Sequence, residues 1–277
     1  MSYQDPPPLR RVGGKWKLAD WIISFFPPHD VYVEPYAGGA AVFFRKEPSA
    51  IECINDLESD VVNFFRVLRE RHAELARAID LTPFSREEYE QAYDLAAAHK
   101  DPIEWARRYY ILAYQSFGAF SGRRTGWRYT LQSDSRSAPV GDWNRLSGLE
   151  KAARRLKQAH IEHDDALEVI KRWDGPETLF YLDPPYLGEE RAGGHRKRYA
   201  LEMMGVAEHE QLAEVLHHIK GMVVLSGYAG PLYERLYPDW PTFQKDVNTT
   251  GNSMATETLW VSPRTLSLGK LPLFAGS

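Results

Sequence analysis

Short apolar runs alternate with amphipathic stretches in the first third of the chain. The segment "VYVEPYAGGAAVFF", which begins at Val31, predicts a short strand, a glycine turn and the start of a helix. A second apolar run, "IECIND" from Ile51, predicts another strand, and apolar residues recur at helical spacing from Leu57 to Ile79. This order of strand, helix, strand and helix is typical of a parallel sheet.

The middle of the chain, from about residue 82 to residue 158, has a different pattern. Residues 85–100 and 103–117 have apolar positions at helical spacing, whereas residues 118–143 are rich in glycine, serine and arginine without a sustained period. The first two segments predict helices and the third predicts a loop. We therefore interpret the middle section as an insertion into the sheet-forming part of the chain.

Sheet signals resume after the insertion. Four short apolar runs predict strands, namely "AHIEHDD", "TLFYLD", "GMVVLSGY" and "ETLWVS", and helical stretches separate them. Several runs are continuously apolar rather than alternating, which is expected of strands that helices cover on both faces, so the sequence predicts an α/β fold. Ligands of such sheets bind at the carboxyl ends of the strands. Acidic residues cluster at those ends: Glu34, Asp56, Asp164 or Asp165, and Asp183.

Composition excludes several classes of protein. The 277 residues are 43% hydrophobic and 26% charged, which is typical of a globular protein and not of a disordered or fibrous one. No apolar run is long enough for a membrane span, and residues 1–15 lack the apolar segment of a signal peptide, so we expect a cytoplasmic location. The single cysteine, Cys53, excludes an intramolecular disulfide and a multi-cysteine zinc site. The nine histidines show no metal-binding spacing, and we expect no bound metal.

Positive charge is concentrated in two segments of an acidic chain. The net charge of −4 argues against binding of polyanions by the whole surface. Residues 105–133 nonetheless contain five arginines, many aromatic residues and no acid, and residues 191–198 add four cations without a carboxylate. Such segments suit phosphates together with stacked or wedged bases. Because Tyr110, Tyr114 and Phe117 have helical spacing, we expect them in the core. The candidates for contacts with phosphates and bases are Arg123, Arg124, Arg128, Arg196, Lys197 and Arg198.

The sequence "DPPY", Asp183 to Tyr186, directly follows the predicted strand "TLFYL". Two successive prolines fix φ at two positions and remove two N–H donors, which leaves their carbonyl groups free to accept hydrogen bonds. An acid and a carbonyl at fixed separation can accept both hydrogens of a planar amino group, while the tyrosine ring stacks on the base that carries it. This geometry suits the exocyclic amine of a nucleobase.

The turn after the first strand contains Gly38 and Gly39, which let the backbone approach a ligand closely. The helix that follows offers unpaired N–H groups at its start. Asp56 ends the second strand 18 residues beyond Gly38, where a carboxylate can hold both hydroxyls of a ribose. The alternative for Asp56 is an N-cap of the next helix.

The "DPPY" motif, preceded in order by the glycine turn and the insertion, resembles the Dam-like N6-adenine DNA methyltransferases. The segments "RVGGK" at residues 11–15, "IND" at residues 54–56 and "TETLWVS" at residues 256–262 are similar to the same family, so the resemblance covers nearly the whole chain. It implies a Rossmann-like methyltransferase sheet with helices on both faces and an inserted, mainly helical target-recognition domain.

The resemblance also implies an activity and a division of the chain. The methyl group of S-adenosylmethionine would pass to the N6 amine of a flipped adenine in a specific sequence of double-stranded DNA. Residues 1–70 and 158–277 would form the catalytic domain that binds S-adenosylmethionine, and residues 71–157 the inserted domain that recognises DNA. The source would be a bacterium or a bacteriophage, and the enzyme a monomer or a weak dimer.

Individual residues receive roles from the same resemblance. The implied catalytic residues are Asp183, Pro184, Pro185 and Tyr186. The implied ligands of the methyl donor are Lys15, Glu34, Tyr36, Gly38, Gly39, Asp56 and Asp165, with Asp164 as the alternative to Asp165. Two places depart from the family pattern, since Ala40 stands where the family has a glycine and Arg11 or Val12 where it usually has an aromatic residue.

The implied mechanism depends on positioning and electrostatics. The Asp183 carboxylate and the Pro184 carbonyl would accept the amine hydrogens and favour the tetrahedral, charge-bearing nitrogen of the transition state. Two alternatives remain open. Related enzymes methylate RNA or protein glutamine, although the basic insertion favours duplex DNA, and an inactive relative would only bind DNA. The sequence does not indicate the target bases, nor whether the setting is a restriction system, a phage or a solitary role.

Overall fold

The computed structural model describes residues 5, 7–117, 124–131, 139–185, 205–227, 229–248 and 254–269. Its strands are β1 (Val31–Glu34), β2 (Ile51–Asn55), β3 (His160–Glu162), β4 (Thr178–Leu182), β5 (Met222–Gly227), β6 (Thr242–Asn248) and β7 (Met254–Val261). Within the described residues they form one seven-stranded sheet in the order β3-β2-β1-β4-β5-β7-β6. Strands β1 to β5 pair in parallel, whereas β7 runs antiparallel to β5 and to β6. The parallel α/β sheet predicted from the sequence is confirmed.

Helices connect the strands. In the sheet-forming part they are α1 (Ala19–Ile23), α2 (Ala41–Arg45), α8 (Ala166–Trp173), α9 (Val206–His218), α10 (Pro231–Leu236) and α11 (Pro263–Leu268). Between β2 and β3 lie α3 (Ser59–Asp80), α4 (Arg86–Ala92), α5 (Pro102–Gln115), α6 (Pro139–Trp143) and α7 (Ser147–Leu156). A short 3-10 turn, Ala96–Ala98, follows α4.

Two elements differ from the sequence prediction. The helix predicted over residues 85–100 ends at Ala92, because the Asp94 side chain accepts the N–H of Ala97 at 3.2 Å and starts a new turn. Strand β6 was missed, since its side chains include the exposed, polar Gln244 and Lys245 and it has no apolar run. Main-chain pairing with β7, rather than an apolar pattern, decides its structure.

The central strands send alternate side chains to two separate apolar clusters. Tyr181 of β4 and Val224 of β5 belong to the first cluster, and their neighbours Leu182 and Leu225 belong to the second. Helices α1, α2, α3, α5 and α7 contribute to the first cluster, and α8, α9 and α10 to the second. Helices therefore cover both faces of the sheet, as the continuously apolar runs predict.

The predicted insertion lies between β2 and β3. Helix α3 bends at Arg71, whose φ of −134° and ψ of 36° are not helical, so the bend falls at the predicted start of the insertion. Tyr109 of α5 and Trp143 of α6 lie in the same apolar cluster as one face of the sheet. The inserted helices thus share a core with the sheet, and the division into two domains stays a prediction.

The aromatic residues around the end of α5 differ in their burial. Tyr110 and Tyr114 are buried, which confirms their expected place in the core. The expectation for Phe117 is wrong, since 69% of its surface is exposed. Helix α5 ends at Gln115, and the Phe117 N–H donates to the Gly126 carbonyl at 2.7 Å. The chain therefore leaves the helix before Phe117 can join its buried face.

No helix in the described ranges is both long and apolar enough to cross a bilayer. In the same part of the chain, no group of three or more His, Cys, Asp or Glu side chains is placed to hold a metal ion. Cys53 of β2 is a buried thiol, and burial raises its pKa.

Candidate active site

The carboxyl ends of β1, β2 and β4 meet at one edge of the sheet, because β1 lies between the other two strands. The parallel register pairs Glu34 with Ile54 and Val33 with Phe180. The segments that follow these strands are the glycine turn, Asp56 and the "DPP" part of the motif, so they share this edge. Five predicted site residues lie outside the described residues: Tyr186, Arg123, Arg196, Lys197 and Arg198.

Asp56 holds the glycine turn against the start of α3. Its Oδ2 accepts the Gly38 N–H at 2.7 Å, and its Oδ1 accepts the Glu58 N–H at 2.8 Å. Gly38 has a φ of +50°, a region of backbone space that favours glycine. Burial raises the pKa of Asp56, and the positive charge of Arg11 opposes this shift. One carboxylate therefore fixes two backbone segments at the sheet edge.

The rest of the turn depends on close backbone packing. A Cβ atom on Gly39 would lie 2.8 Å from the Leu9 carbonyl oxygen, so this position requires glycine. Ala40, the N-cap of α2, has a φ of 51° and a ψ of 39° in the left-handed region. That conformation costs an alanine about 1 kcal/mol. Ala40 thus follows a backbone path that favours glycine, the residue of the family pattern.

Arg11, one of the two residues that can stand where the family pattern usually has an aromatic residue, forms an ionic bridge. Its Nη2 lies 2.7 Å from Glu58 Oε2, and its guanidinium hydrogen-bonds the Tyr109 hydroxyl. The same hydroxyl donates to Glu58 Oε1 at 2.9 Å. Arg11 therefore joins the N-terminal segment to α3 and α5 beside the glycine turn. Sequence reasoning missed this bridge, because no local pattern links residues so far apart along the chain.

Lys15 is buried between two carboxylates. Its Nζ lies 3.0 Å from Asp183 Oδ1 and 3.3 Å from Glu257 Oε1, and it donates to the Gly13 carbonyl at 3.3 Å. Burial by itself lowers the pKa of Lys15, but the charges of Asp183 and Glu257 more than offset this effect and raise the pKa. The ammonium is therefore charged at neutral pH. Neither its contact with Asp183 nor the participation of Glu257 was predicted.

The carboxyl of Glu34 is engaged inside the protein. The Tyr32 hydroxyl donates to its Oε1 at 2.5 Å, and the backbone N–H of Phe43 also donates to it. Burial raises the pKa of Glu34 to about 8, although these two hydrogen bonds oppose the shift. Glu34 is thus largely protonated at neutral pH, and it connects the end of β1 with α2.

We expect Glu34 to make the protein less stable as the pH rises from 4.5 to 8. The carboxyl keeps its proton up to about pH 8 in the folded chain and loses it near 4.5 when unfolded. The unfolded state therefore binds fewer protons in this window, and stability falls with pH by up to about 5 kcal/mol. Glu34→Gln does not titrate and should remove this loss. Urea unfolding of both proteins at pH 5, 6.5 and 8 measures it, and parallel curves would contradict the prediction.

The two neighbouring acids at the end of β3 have different partners. Asp165 is the N-cap of α8, and its Oδ1 accepts two backbone N–H groups of that helix at 2.9 and 3.3 Å. Asp164 pairs with Arg172 at 2.7 Å. Burial raises the pKa of Tyr36, and the charge of Asp165 adds to the shift. Tyr36 therefore lies near Asp165 at the same edge of the sheet.

Two candidate contacts with phosphates, Arg124 and Arg128, lie in the part of the insertion that the structure describes, and both form ion pairs within the protein. The Arg128 side chain is 23% exposed and pairs with Asp142 at 2.9 Å. The same carboxylate lies 3.2 Å from Arg10 and 3.7 Å from Arg145. Three guanidinium groups therefore share one carboxylate. The Arg124 side chain is 64% exposed, although it also takes part in an ion pair.

Comparisons with known proteins agree with the motif. A family profile described as D12 class N6 adenine-specific DNA methyltransferase matches residues 12–246. The chain is similar to a DNA adenine methylase of Serratia marcescens, with 23% identity over 218 residues, 76% of this chain and 77% of the relative. It is also similar to the type II methyltransferase M1.LlaDCHI of Lactococcus lactis subsp. cremoris, with 23% identity over 263 residues, 90% of each chain. A DNA adenine methylase of Escherichia coli (strain K12) is 25% identical over 186 residues, 64% of each chain.

Proposed function

Because this chain belongs to the family of D12 class N6 adenine-specific DNA methyltransferases, we propose that it methylates adenine at the sheet edge where Gly38, Asp56 and Asp183 meet. The protein is an adenine-specific DNA methyltransferase. The observation that carries the location is the strand order, in which β1 with its glycine turn lies directly beside β2 with Asp56 and β4 with Asp183.

The methyl donor in this proposal is S-adenosylmethionine, which when bound supplies a methyl group activated by a sulfonium. A carboxylate has about four acceptor positions. Asp56 uses one on each oxygen for the turn and for α3, which leaves capacity for two ribose hydroxyls. Gly38 and Gly39 have no side chains, so the donor can approach the backbone of the turn closely. Tyr36 and Asp165 lie at the same edge of the sheet. These residues hold the donor.

Two predicted ligands of the donor have other partners. The Lys15 ammonium contacts Asp183, Glu257 and the Gly13 carbonyl. We therefore propose that Lys15 orients the Asp183 carboxylate. The carboxyl of Glu34 accepts hydrogen bonds within the protein. We therefore propose that Glu34 stabilises the conformation of the carboxyl end of β1. Both residues then act on the site without a direct contact to the donor.

Asp183 and Pro184 hold the adenine amine. The Asp183 side chain is 23% exposed, so its carboxylate is accessible to a substrate that enters from solvent. The carboxylate and the Pro184 carbonyl accept the two N6 hydrogens of an adenine that has flipped out of the duplex. Acceptance of both hydrogens concentrates the lone pair on nitrogen, and the carboxylate can take the proton that the amine releases after methylation. Tyr186 stacks on the base in this proposal.

Duplex DNA is the polyanion that the basic groups suit. The guanidinium groups of Arg10, Arg128 and Arg145 share the single Asp142 carboxylate, and the Arg124 side chain is 64% exposed although it pairs with Glu90. Phosphate contacts of this type position a duplex without reading its sequence. The remaining predicted contacts, Arg123, Arg196, Lys197 and Arg198, belong to the same proposal.

Methyl transfer from labelled S-adenosylmethionine tests the function. We expect label in the adenine of duplex DNA, and none in RNA, ribosomes or protein. Mapping of N6-methyladenine in DNA from cells that express the protein should then show one short methylated sequence. Label in RNA or protein would support another substrate of the same chemistry, and binding of DNA without binding of S-adenosylmethionine would support an inactive relative.

A further inference from the structure

We infer that Glu257 is a positioning residue of the active site, which acts on Asp183 through Lys15. The inference rests on the proposed function, because it takes Asp183 as the acceptor of an adenine N–H. Glu257 lies on β7, outside the glycine turn and the "DPPY" motif. The three residues come from three separate segments of the chain, which the fold brings together.

The geometry places Lys15 between the two acids. Lys15 Nζ lies 3.0 Å from Asp183 Oδ1 and 3.3 Å from Glu257 Oε1. The side chains of Lys15 and Glu257 are 6% and 8% exposed, compared with 23% for Asp183. The acid that meets the substrate is thus the most accessible of the three, and the other two support it from within the protein.

Glu257 is directed at Lys15 although a second lysine stands opposite it in the sheet. Lys245 of β6 is its direct partner in the antiparallel register. Opposed residues of antiparallel strands often form charge pairs. The Lys245 ammonium lies 5.7 Å from the centre of the Trp21 ring, and the buried Glu257 carboxylate contacts Lys15. Because a buried carboxylate is costly unless it is paired, this contact is a specific arrangement.

Asp183 and Glu257 share one ammonium. Lys15 Nζ lies within 3.3 Å of a carboxylate oxygen of each acid. Because Glu257 shares the Lys15 ammonium, the Asp183 carboxylate keeps more of its negative charge for the adenine amine, on which positive charge develops during methylation. Without Glu257, Asp183 and Lys15 would form a neutral pair, and Lys15 would lose one of the acids that hold it. The Asp183 carboxylate would then be a weaker and less firmly oriented acceptor.

Glu257→Gln tests the inference, because the amide keeps the size of the side chain and removes its charge. We expect kcat for methyl transfer to fall about tenfold, whereas KM for DNA and the Kd of S-adenosylmethionine, from calorimetry, change less than about twofold. Asp246→Asn is the matched control. It removes one negative charge from the exposed side of the neighbouring strand β6 and should leave kcat unchanged.

Lys15→Met shows whether Glu257 acts through Lys15. In that background Glu257→Gln should lower kcat no further, because the group that transmits its effect is already missing. Wild-type kcat in Glu257→Gln overturns the inference. The same tenfold loss with and without Lys15 also overturns it, since Glu257 would then act independently.

The wild-type protein separates failure of the inference from failure of the proposed function. If the wild type transfers no methyl group to DNA, the function is refuted, whereas an active wild type with an equally active Glu257→Gln refutes only the role of Glu257. Should Glu257→Gln not fold, Glu257→Asp replaces it. The shorter side chain keeps the charge but moves it away from Lys15, so we expect kcat to fall about threefold, and an unchanged kcat overturns the inference.

Discussion

Asp183→Ala is expected to reduce methyl transfer by about 1,000-fold or more, the loss typical of a site that loses a charged group needed in the transition state. The alanine leaves only the Pro184 carbonyl to accept an amine hydrogen. It also removes the carboxylate that lies 3.0 Å from the buried Lys15 ammonium. The single-turnover rate with labelled S-adenosylmethionine and duplex DNA measures this loss. Binding of the donor should remain, because Gly38 and Asp56 are not changed.

Asp183→Asn refines this experiment. The amide oxygen can still accept a hydrogen bond from Lys15, so orientation is largely kept while the negative charge is lost. We expect a decrease of at least about 100-fold in the same assay, with calorimetric binding of the donor close to wild type. If either variant methylated DNA at nearly the wild-type rate, Asp183 would have no part in the chemistry.

The sheet and the motif could be predicted from the sequence because their signals are local. Strands β4 and β5 are apolar at successive positions, which is how strands covered on both faces differ from surface strands. The "DPPY" motif stands directly after β4, and two prolines in series have few structural interpretations. The acids at the strand ends follow from the same reasoning, since parallel strands end at one edge.

The ionic contacts of the site could not be predicted, because they join distant segments. Lys15, Asp183 and Glu257 belong to the N-terminal segment, the end of β4 and β7, and only the folded sheet brings them together. Asp134 is the acid nearest to Arg128 in the sequence, yet the fold pairs Arg128 with Asp142. Local composition predicts where charge is concentrated, but it does not predict which charges are already paired.

Burial explains why a strand-end acid need not face the ligand. Glu34 is the last residue of β1, and Asp56 directly follows the neighbouring strand β2. Both positions therefore predict a contact with a ligand. Only 2% of Glu34 is exposed, and its carboxyl is used by Tyr32 and by α2. Each carboxylate oxygen of Asp56 accepts one backbone N–H, from Gly38 in the turn and from Glu58 at the start of α3. Two similar sequence signals therefore lead to different roles.

Asp56→Ala is expected to weaken binding of S-adenosylmethionine about 100-fold. A carboxylate that holds two ribose hydroxyls contributes about 3 kcal/mol, and each 1.4 kcal/mol corresponds to about a tenfold change in Kd. The variant also releases the Gly38 N–H and the Glu58 N–H, so the turn loses its anchor to α3. Calorimetry with S-adenosylmethionine measures the affinity, and kcat at saturating donor should stay within about threefold of wild type.

Asp56→Asn distinguishes the two contributions to this loss. The amide keeps one oxygen, so it can accept the Gly38 N–H or the Glu58 N–H but not both in the wild-type arrangement. It also has fewer acceptor positions for the two ribose hydroxyls of the donor. We expect its affinity for the donor to lie between those of the wild type and Asp56→Ala. A wild-type Kd in both variants would exclude Asp56 from donor binding. The remaining role of Asp56 would then be to anchor the turn, and a lower midpoint of urea unfolding in the variants would show that role.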